Sequence, residues 1–418
     1  MDRHYRALVI GGGVVGCNVL WHLTREGWSE VALCERRELT AGATWHSSGH
    51  ISAYTGDLAL VELARYTRSQ VDRLRTEAEH DLGLRAAGSL RLATRPAHLA
   101  EYRRFTNAAR AVGVDAKVVS PREALALWPL MNDDGVLGAL HLPGDCYLDA
   151  AGFTQALASA ARARGARILR QTEVTGLDPV RSGGWRVRTT NGEIQCEHVI
   201  SATGIFARRT FALAGMFLPV ATLSHQYLVT EPAEPIMERR ATPDARLPIL
   251  RQPDIRLNVR EEGDGFFVSV YESGARAIFP DGAPGDYGME LLPPDLGSIE
   301  GQFAGAIDRV PSLGEAGIRE IVHGPLPWSA DFAPLVGPVP DRRNFWVAEG
   351  VSYGVTWSGG VAQLLARWIV HGDPGCDTSS VDCRRFGATA TPAWADEQAT
   401  RSYLGSYNSE VDSEAASR

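Results

Sequence analysis

Residues Ala7–Gly16 read ALVIGGGVVG, and the architecture of the chain can be argued outward from this short stretch. Its first four residues form an apolar run typical of a buried parallel strand, and the remainder matches the pattern G-x-G-x-x-G. A helical pattern continues to Leu23, a second apolar run follows at Val31–Leu33, and Glu35 lies 19 residues beyond Gly16. This order of strand, glycine turn, helix, strand and acid predicts a βαβ unit that binds a dinucleotide.

Three glycines of this turn meet separate requirements of dinucleotide binding. Gly11 permits the tight turn, Gly13 lets the backbone approach a pyrophosphate, and Gly16 lets the helix pack closely on the strand. The helix then begins at Val14 and Val15, where free N–H groups and the positive end of the helix dipole face the phosphates. These five residues are therefore predicted to bind the cofactor.

A loop rich in small residues follows Glu35 and Arg36. A carboxylate at Glu35 can accept hydrogen bonds from a ribose, and it repels a 2′-phosphate, which argues against NADP. The loop lacks clean periodicity, so we expect it to lie against a ligand. An FAD site needs a loop that runs from the acid at the ribose, here Glu35, towards the isoalloxazine ring. The presence of such a loop favours FAD as the dinucleotide. Glu35 and Arg36 are predicted to bind the cofactor. The cofactor-binding positions predicted along the loop are Thr44, Trp45, His46, Ser47, Gly49 and Ile51.

This loop resembles a segment of the dimethylglycine and sarcosine dehydrogenase/oxidase branch of the D-amino-acid-oxidase-type flavoproteins. In that branch the pattern L-T-x-G-[ST]-[TS]-x-H-[AS]-x-G carries a histidine bound covalently to the flavin 8α-methyl group, and the matching position is His46. The resemblance runs from about residue 7 to about residue 372. It implies FAD held covalently through His46 and the oxidation of an N-methylated amine.

The resemblance also implies a mixed α/β (α+β) fold with two lobes. One is a βαβ, Rossmann-like FAD-binding domain, and the other is a substrate domain built on an antiparallel sheet. The predicted division gives residues 1–87, 145–216 and 325–372 to the FAD-binding domain, 88–144 and 217–324 to the substrate domain, and 373–418 to a C-terminal extension. We expect the last ten or so residues to be disordered, and we expect the C-terminal folate-binding region of longer members to be absent.

Two later segments are predicted to return to the cofactor. Val199–Gly204 is an apolar strand that ends in small residues, as at the FAD-adjacent strand of two-dinucleotide-type flavoproteins, and its predicted contacts are Ala202 and Gly204. Gly350–Gly360 is interpreted as a glycine-rich loop before a helix, whose N-terminus suits the flavin pyrimidine carbonyl. The predicted contacts there are Gly354, Gly359 and Gly360.

The predicted catalytic residues are His225, Tyr227 and Arg260. His225 matches the family's active-site histidine, and a neutral imidazole there can accept or position a proton from the substrate ammonium. Tyr227 belongs to the same patch. A substrate carboxylate needs a cation, for which Arg251, Arg256 and Arg260 are candidates because guanidinium groups bind carboxylates in a bidentate way.

Two segments depart from the family pattern where the substrate is expected. Val259 stands where members often carry a tyrosine, and Ser329–Phe332 replaces a T-P-D-G loop. These differences make dimethylglycine itself a less favoured substrate, and they make a larger or less polar N-alkyl amine an alternative.

The composition narrows the choice of partners and compartment. Of 418 residues, 44% are apolar and 22% charged, with a formal net charge of −8 and no Lys/Arg run, which argues against nucleic acid or an anionic membrane as partner. No apolar stretch approaches the roughly 20 residues of a membrane span. The six scattered cysteines form no metal-ligand pattern and indicate reduced thiols in a cytoplasmic protein. We therefore expect no metal.

The expected reaction is hydride transfer from a C–N bond to flavin N5, followed by hydrolysis of the imine and release of formaldehyde. Oxygen or an electron carrier then reoxidises the flavin. Two alternatives stay open: oxidation of a larger specialised-metabolite amine, and a flavin subunit that needs a separate folate-binding partner as one-carbon acceptor. An NAD-dependent dehydrogenase is a weaker alternative, because the His46 loop has no role in it.

Overall fold

A computed structural model describes residues 3–77, 80–181, 183–240, 246–387 and 390–406. In chain order its strands are β1 (Arg3–Ile10), β2 (Val31–Cys34), β3 (His50–Ile51), β4 (Ser89–Ala93), β5 (Lys117–Val119), β6 (Gly138–Leu142), β7 (Cys146–Tyr147), β8 (Arg167–Leu169), β9 (Val174–Pro179), β10 (Trp185–Thr189), β11 (Gly192–Ser201), β12 (Val220–Thr230), β13 (Ile249–Gln252), β14 (Leu257–Glu262), β15 (Gly265–Val270), β16 (Ile318–Ser329), β17 (Leu335–Pro338) and β18 (Phe345–Glu349).

The α-helices are numbered in the same way. They are α1 (Val14–Arg25), α2 (Leu58–Glu77), α3 (Pro96–Ala111), α4 (Pro121–Leu127), α5 (Ala150–Ala163), α6 (Ala207–Ala212), α7 (Glu234–Arg240), α8 (Glu300–Arg309), α9 (Gly354–His371) and α10 (Pro392–Gly405). Two of them begin at a capping side chain. Ser120 forms a capping box with Glu123 at α4, and Asp149 caps α5 by accepting a hydrogen bond from Ala151 N.

The first sheet contains the predicted βαβ unit. Its strand order is β17-β18-β11-β1-β2-β8, and β10 and β9 extend from β11. Strand β1 pairs in parallel with both β2 and β11, and α1 connects β1 to β2. The apolar side chains of these strands pack with α1, α5 and α9 in one core. Four consecutive buried residues in β2 agree with the continuous apolar run expected of a covered parallel strand.

The second sheet has the order β16-β12-β15-β14-β13-β4-β6-β5. Its neighbours run antiparallel except for β13 and β4, which are parallel. Strands β4 to β6 come from residues 89–142, and β12 to β16 from residues 220–329. The mixed α/β fold with a second, mainly antiparallel sheet is thereby confirmed. Strand β16 continues to Ser329, past the predicted boundary at residue 324, and the division into domains stays a prediction.

Helix α9 begins six residues earlier than Gly360, so the prediction of a loop up to that residue is wrong. Gly359 and Gly360 are fully buried inside α9. A Cβ on Gly359 would lie 3.0 Å from Thr67 Cα, and one on Gly360 would lie 2.6 Å from the carbonyl oxygen of Leu63. The two glycines therefore allow α9 to pack against α2 and do not line the helix N-terminus.

Two further findings concern the whole described chain. No helix among the described ranges is long and apolar enough to cross a bilayer. All six cysteines are free thiols, and only Cys376 is exposed. The predicted disorder of the last ten or so residues falls outside the described part of the chain.

Candidate active site

A cavity of about 840 Å³ lies between the two sheets and joins most of the predicted site residues. The predicted residues that line it are Gly11, Gly13, Val14, Val15, Glu35, Arg36, Thr44, His46, Ser47, Ala202, Gly204, Gly354, His225 and Tyr227. Those that do not line it are Gly16, Trp45, Gly49, Ile51, Gly359, Gly360 and Arg260. The first sheet, which contains the βαβ unit, therefore forms one wall of the cavity, and the second sheet forms the other.

Gly11 and Gly16 in the turn at one end of the cavity leave no room for a side chain. Gly11 has φ +109°, and a Cβ there would lie 2.9 Å from the Ala202 carbonyl carbon and overlap its oxygen. Gly16 packs behind the turn, where a Cβ would overlap the carbonyl oxygen of Gly11. The backbone between β1 and α1 is therefore open to the cavity and close to β11. A pyrophosphate fits this arrangement, because the glycine turn and the N-terminus of α1 line the cavity.

Glu35 and Thr44 fix the loop that follows β2. The Glu35 carboxylate accepts hydrogen bonds from Gly12 N at 2.7 Å and Arg37 N at 2.8 Å. Burial raises its pKa, although those bonds oppose the change. Thr44 Oγ1 accepts from Val14 N at 3.1 Å and so ties the loop to the start of α1. A carboxylate held at the end of β2 is suitably placed to accept hydrogen bonds from a ribose.

Glu349 is a site residue that the sequence analysis missed. It ends β18 and is buried beneath the turn after β11, where it accepts hydrogen bonds from Ser201 Oγ at 2.6 Å, Thr203 N at 2.6 Å and Gly204 N at 2.8 Å. Burial raises the pKa of this carboxylate against the effect of those bonds. Glu349 therefore fixes the turn that carries Ala202 and Gly204. The sequence does contain a signal for Glu349: it is an acidic residue at the end of an apolar strand and directly before Gly350.

His46 is held against the second sheet by the absence of a side chain at Gly324. A Cβ on Gly324 would lie 2.5 Å from Cε1, 2.7 Å from Nδ1 and 2.8 Å from Nε2 of the His46 ring. Gly324 in turn pairs with His225 across β16 and β12. Burial lowers the pKa of His46 to about 4. Its imidazole is therefore neutral near pH 7, which is the state in which a ring nitrogen is a nucleophile.

His225 belongs to a hydrogen-bonded cluster at the cavity wall. Its Nδ1 lies 3.1 Å from Glu272 Oε2 and 2.9 Å from Tyr403 Oη, and its Nε2 lies 2.8 Å from Ser269 Oγ. Tyr271 stacks at a tilt on the imidazole, with 4.5 Å between ring centroids. The cluster joins strands β12 and β15 to the C-terminal helix α10.

The partners of His225 assign its tautomer. Tyr403 has one hydroxyl proton and donates it to Glu272 Oε2. Burial alone would raise the pKa of Glu272, but His225 and the bonds from His225 and Tyr403 outweigh it and lower the pKa. Since an ionised carboxylate only accepts hydrogen bonds, Nδ1 of His225 must donate. Its Nε2 is then the proton acceptor that faces Ser269 and the cavity.

Tyr403 is a second residue that the sequence analysis missed, because residues 373–418 were interpreted only as an extension. Helix α10 packs on the second sheet, where Trp328 Nε1 donates to Ser402 Oγ at 2.7 Å. An ion pair of 2.6 Å between Arg208 and Asp396 fastens the same helix. Tyr403 is fully buried between Trp328 and His225. The C-terminal helix thus completes the surroundings of His225.

A Tyr403→Phe variant is expected to lower the rate constant of flavin reduction about tenfold, because loss of a hydrogen bond to a charged group costs about 1.5 kcal/mol. Substrate affinity should stay unchanged, since the hydroxyl lies behind His225. Stopped-flow reduction at several substrate concentrations separates the two quantities. Tyr102→Phe is the matched control, because Tyr102 is equally buried and donates to Leu92 O at 2.9 Å away from the cavity. Equal rates for Tyr403→Phe and Tyr102→Phe would contradict the assignment.

A row of polar side chains crosses the second sheet on its cavity face. The register places five residues side by side on consecutive strands and all of them line the cavity: Tyr227, Ser269, Asn258, Arg251 and Arg91. Val259 lies on the opposite face, where it is fully buried between Leu250 and Val268. The expectation that Val259 lies near the substrate is therefore wrong, whereas Phe332 does line the cavity.

Arg260 faces a second cavity, of about 690 Å³. Its guanidinium forms an ion pair with Glu262, donates to His50 Nε2 at 3.1 Å and lies over the ring of Tyr147. Tyr227 lines both cavities. Arg256, the other candidate that does not line the large cavity, donates to the backbone carbonyl of Glu272 at 3.2 Å. Of the three candidate cations, Arg251 is the one that lines the large cavity.

Comparison with known proteins agrees with this geometry. The family model of DAO-type FAD dependent oxidoreductases matches residues 6–368. The chain belongs to this family. The match covers the glycine turn, the His46 loop and both sheets, so the family resemblance noted in the sequence is confirmed. FAD as the cofactor follows from membership of this family.

The relatives share most of this chain but little of their own length. The chain is 33% identical to mitochondrial dimethylglycine dehydrogenase of Mus musculus over 401 residues, which is 95% of this chain and 46% of that protein. It is 36% identical to mitochondrial sarcosine dehydrogenase of Homo sapiens over 414 residues, which is 96% of this chain and 44% of that protein. The chain thus spans less than half the length of these relatives.

The fold is also similar to solved structures. L-proline dehydrogenase from P. horikoshii superposes with a TM-score of 0.79 at 22% identity, covering 92% of this chain and 98% of that chain. This similarity supports the two-sheet architecture described above.

Proposed function

We propose that this protein is an FAD-dependent amine oxidoreductase that oxidises a C–N bond of an N-methylated amino acid or a related secondary or tertiary amine. The observation that carries the proposal is the single cavity that joins the glycine turn, the neutral His46 and the His225 cluster. The relatives named dimethylglycine and sarcosine dehydrogenases support the N-methylated substrate class. Hydrolysis of the imine product would release the methyl carbon as formaldehyde.

The residues around the glycine turn would hold FAD. Gly11 and Gly13 leave the backbone open to the pyrophosphate, Glu35 would bind the ribose, and Val14 and Val15 bring the helix dipole to the phosphates. When bound, the flavin supplies a hydride acceptor at N5 and passes two electrons to oxygen or an electron carrier. We further propose that His46 carries the covalent link to the cofactor, because a half-buried, neutral imidazole lines the cavity.

His225 would act on the substrate nitrogen. An amine must lose its ammonium proton before a hydride can leave an adjacent carbon, since the nitrogen lone pair stabilises the resulting iminium. Nε2 of His225 is the acceptor that faces the cavity, and the Ser269 hydroxyl at 2.8 Å can both accept and donate a proton. Glu272 behind the ring stabilises an imidazolium. Tyr227 would line the substrate space next to Ser269.

The test is anaerobic reduction of the purified holoenzyme with sarcosine and dimethylglycine. We expect the flavin absorbance to bleach and formaldehyde to appear in proportion to the flavin reduced. A flavin that dithionite reduces but that stays oxidised with every N-methylated amine tried would contradict the proposal. Bleaching in the isolated chain would also exclude the alternative of a flavin subunit that needs a folate-binding partner for the redox step.

Two finer points belong to the same proposal. A separate one-carbon acceptor protein could capture the released formaldehyde, and its absence from the reaction should leave free formaldehyde in solution. We also propose a cytoplasmic location, since all six cysteines are free and no disulfide stabilises the fold. Fractionation of cells followed by detection of the chain tests this location.

A further inference from the structure

Arg251 is a buried cation at the wall of the large cavity. Its residue surface is only 8% exposed. Its Nε is buried without a hydrogen-bond partner, and among the residues that the structure describes its guanidinium makes no hydrogen bond or ion pair. A buried guanidinium without a counter-ion is costly, because it loses its water and gains no charge partner in return. The cavity therefore offers a position for an anion beside Arg251.

Asp145, the acid on which the charge of Arg251 acts, forms no ion pair with it among the described residues. Asp145 Oδ2 accepts hydrogen bonds from Ser52 Oγ at 2.7 Å and Ser89 Oγ at 2.6 Å, and its Oδ1 accepts from Ala53 N at 3.0 Å. Its carboxylate is thus held by three neutral donors on its own side. The adjacent His50 is neutral, since burial together with Arg251 and Arg260 lowers its pKa well below the usual value. The guanidinium of Arg251 thus lines the cavity without a paired acid among the described residues.

The position of Arg251 relative to the His225 cluster sets the length of a ligand. Ser269, which is bonded to His225 Nε2, pairs with Asn258, and Asn258 pairs with Arg251. Arg251 therefore stands two strands away from Ser269, a separation of roughly 10 Å between strand axes. The two side chains nearest this path, Ser269 and Asn258, are short, and both line the cavity. The proton acceptor and the cation therefore line the same cavity.

We propose that Arg251 binds the carboxylate of the substrate, and that the substrate is an N-methylamino acid in which several methylene groups separate the amine from the carboxylate. The proposal rests on the proposed amine oxidation and names the substrate class of the same site. The amine lies at His225 and Ser269, the chain lies over Asn258, and the carboxylate lies at Arg251. N-methylglycine, with one carbon between its two polar groups, is too short to engage both ends.

The first arm of the test measures binding without turnover. Pentanoate is titrated into the oxidised holoenzyme in a calorimeter. Arg251→Met is expected to weaken pentanoate binding roughly 10- to 100-fold, as loss of a charge-assisted bidentate contact does, and Arg251→Lys should recover part of it. Arg260→Met is the comparison, because Arg260 already has Glu262 as partner, and it should leave pentanoate binding unchanged. Equal pentanoate affinity in the parent and Arg251→Met would overturn the proposal.

The second arm measures chain length. Anaerobic flavin reduction is compared for N-methylglycine, 3-(methylamino)propanoate, 4-(methylamino)butanoate, 5-(methylamino)pentanoate and N-methylbutylamine. We expect kcat/KM to be at least tenfold higher for the four- or five-carbon acids than for N-methylglycine. Arg251→Met should remove that advantage and leave N-methylbutylamine unaffected. A kcat/KM that is highest for N-methylglycine would overturn the substrate class.

The two arms separate this proposal from the proposed function. If no amine reduces the flavin while pentanoate binding still depends on Arg251, amine oxidation fails and the carboxylate site stands. If N-methylated amines reduce the flavin with the same kcat/KM in the parent and in Arg251→Met, amine oxidation stands and the carboxylate site fails. Folding of each variant is checked by its flavin content and thermal unfolding.

Discussion

A Gly16→Ala variant is expected to be purified without flavin and to lose at least about 3 kcal/mol of stability, the upper end of the cost of ordinary overpacking. The reason is local: a Cβ on Gly16 would overlap the carbonyl oxygen of Gly11 and lie 3.5 Å from Ala202 Cβ. A backbone atom has no alternative rotamer that would relieve this contact. Helix α1 must therefore move away from β1, which distorts the glycine turn. Flavin absorbance per chain and thermal unfolding measure the two effects.

Gly301→Ala is the matched control for this variant. Gly301 also lies inside a helix, α8, but no atom outside its own helix lies within 4 Å of the position of its Cβ. Replacing an exposed helical glycine by alanine should stabilise the chain by about 0.5–1 kcal/mol. A Gly16→Ala protein that retains full flavin content would show that close packing of α1 on β1 is not required for the cofactor.

The glycine turn was predictable because its signals are local. Strand, turn, helix and acid follow one another within about thirty residues, and each is encoded by neighbouring residues. The caps at Ser120 and Asp149 were predictable for the same reason, since capping needs only the residue and the next helical turn. What local sequence specifies in this chain is therefore the start of these elements and the position of the glycine turn.

The missed residues depend on contacts between distant parts of the chain. Tyr403 reaches His225 across 178 residues, and Glu349 reaches Thr203 across 146. Nothing in the sequence around Tyr403 indicates that its helix packs against the second sheet. The N-terminus of α9 was misplaced for a related reason. Gly359 and Gly360 have the composition of a loop, but tertiary packing against α2 requires glycine there and overrides helix propensity.

The error at Val259 shows how sensitive strand assignments are to register. Successive residues of a strand face opposite sides of the sheet. If the predicted substrate residue is wrong by one position, its side chain therefore faces the core and not the cavity. Asn258 faces the cavity and Val259 faces the core. The choice of Arg260 as the substrate cation has a comparable cause. Arg260 and Asn258 share a face of β14, but Arg260 lies one residue pair further along, where the second cavity begins.

Replacing His46 by Asn is expected to abolish covalent attachment of the flavin while FAD stays bound without a covalent link. The glycine turn, Glu35 and Glu349 are untouched by this change, so the non-covalent contacts persist. The measurement is the flavin that remains with the protein after acid precipitation, which should fall from full occupancy to none. His225→Asn is the control, since that imidazole is hydrogen-bonded to Glu272, Tyr403 and Ser269, and it should retain acid-stable flavin.

The surroundings of His46 make the same prediction testable without removing the ring. Gly324→Ala places a Cβ 2.5 Å from Cε1 of His46, so the imidazole must shift, and attachment to added FAD should become slower although the nucleophile is intact.

The pH dependence of the attachment rate has a defined sign. Because burial lowers the pKa of His46 to about 4, the ring is neutral from about pH 6 to 8, and the attachment rate should be constant there. The rate should fall as the pH approaches 4, because protonation removes the nucleophilic lone pair. Acid-stable flavin in His46→Asn would place the covalent bond on another residue, and the tight packing of the ring against Gly324 would then have to be explained by non-covalent contact alone.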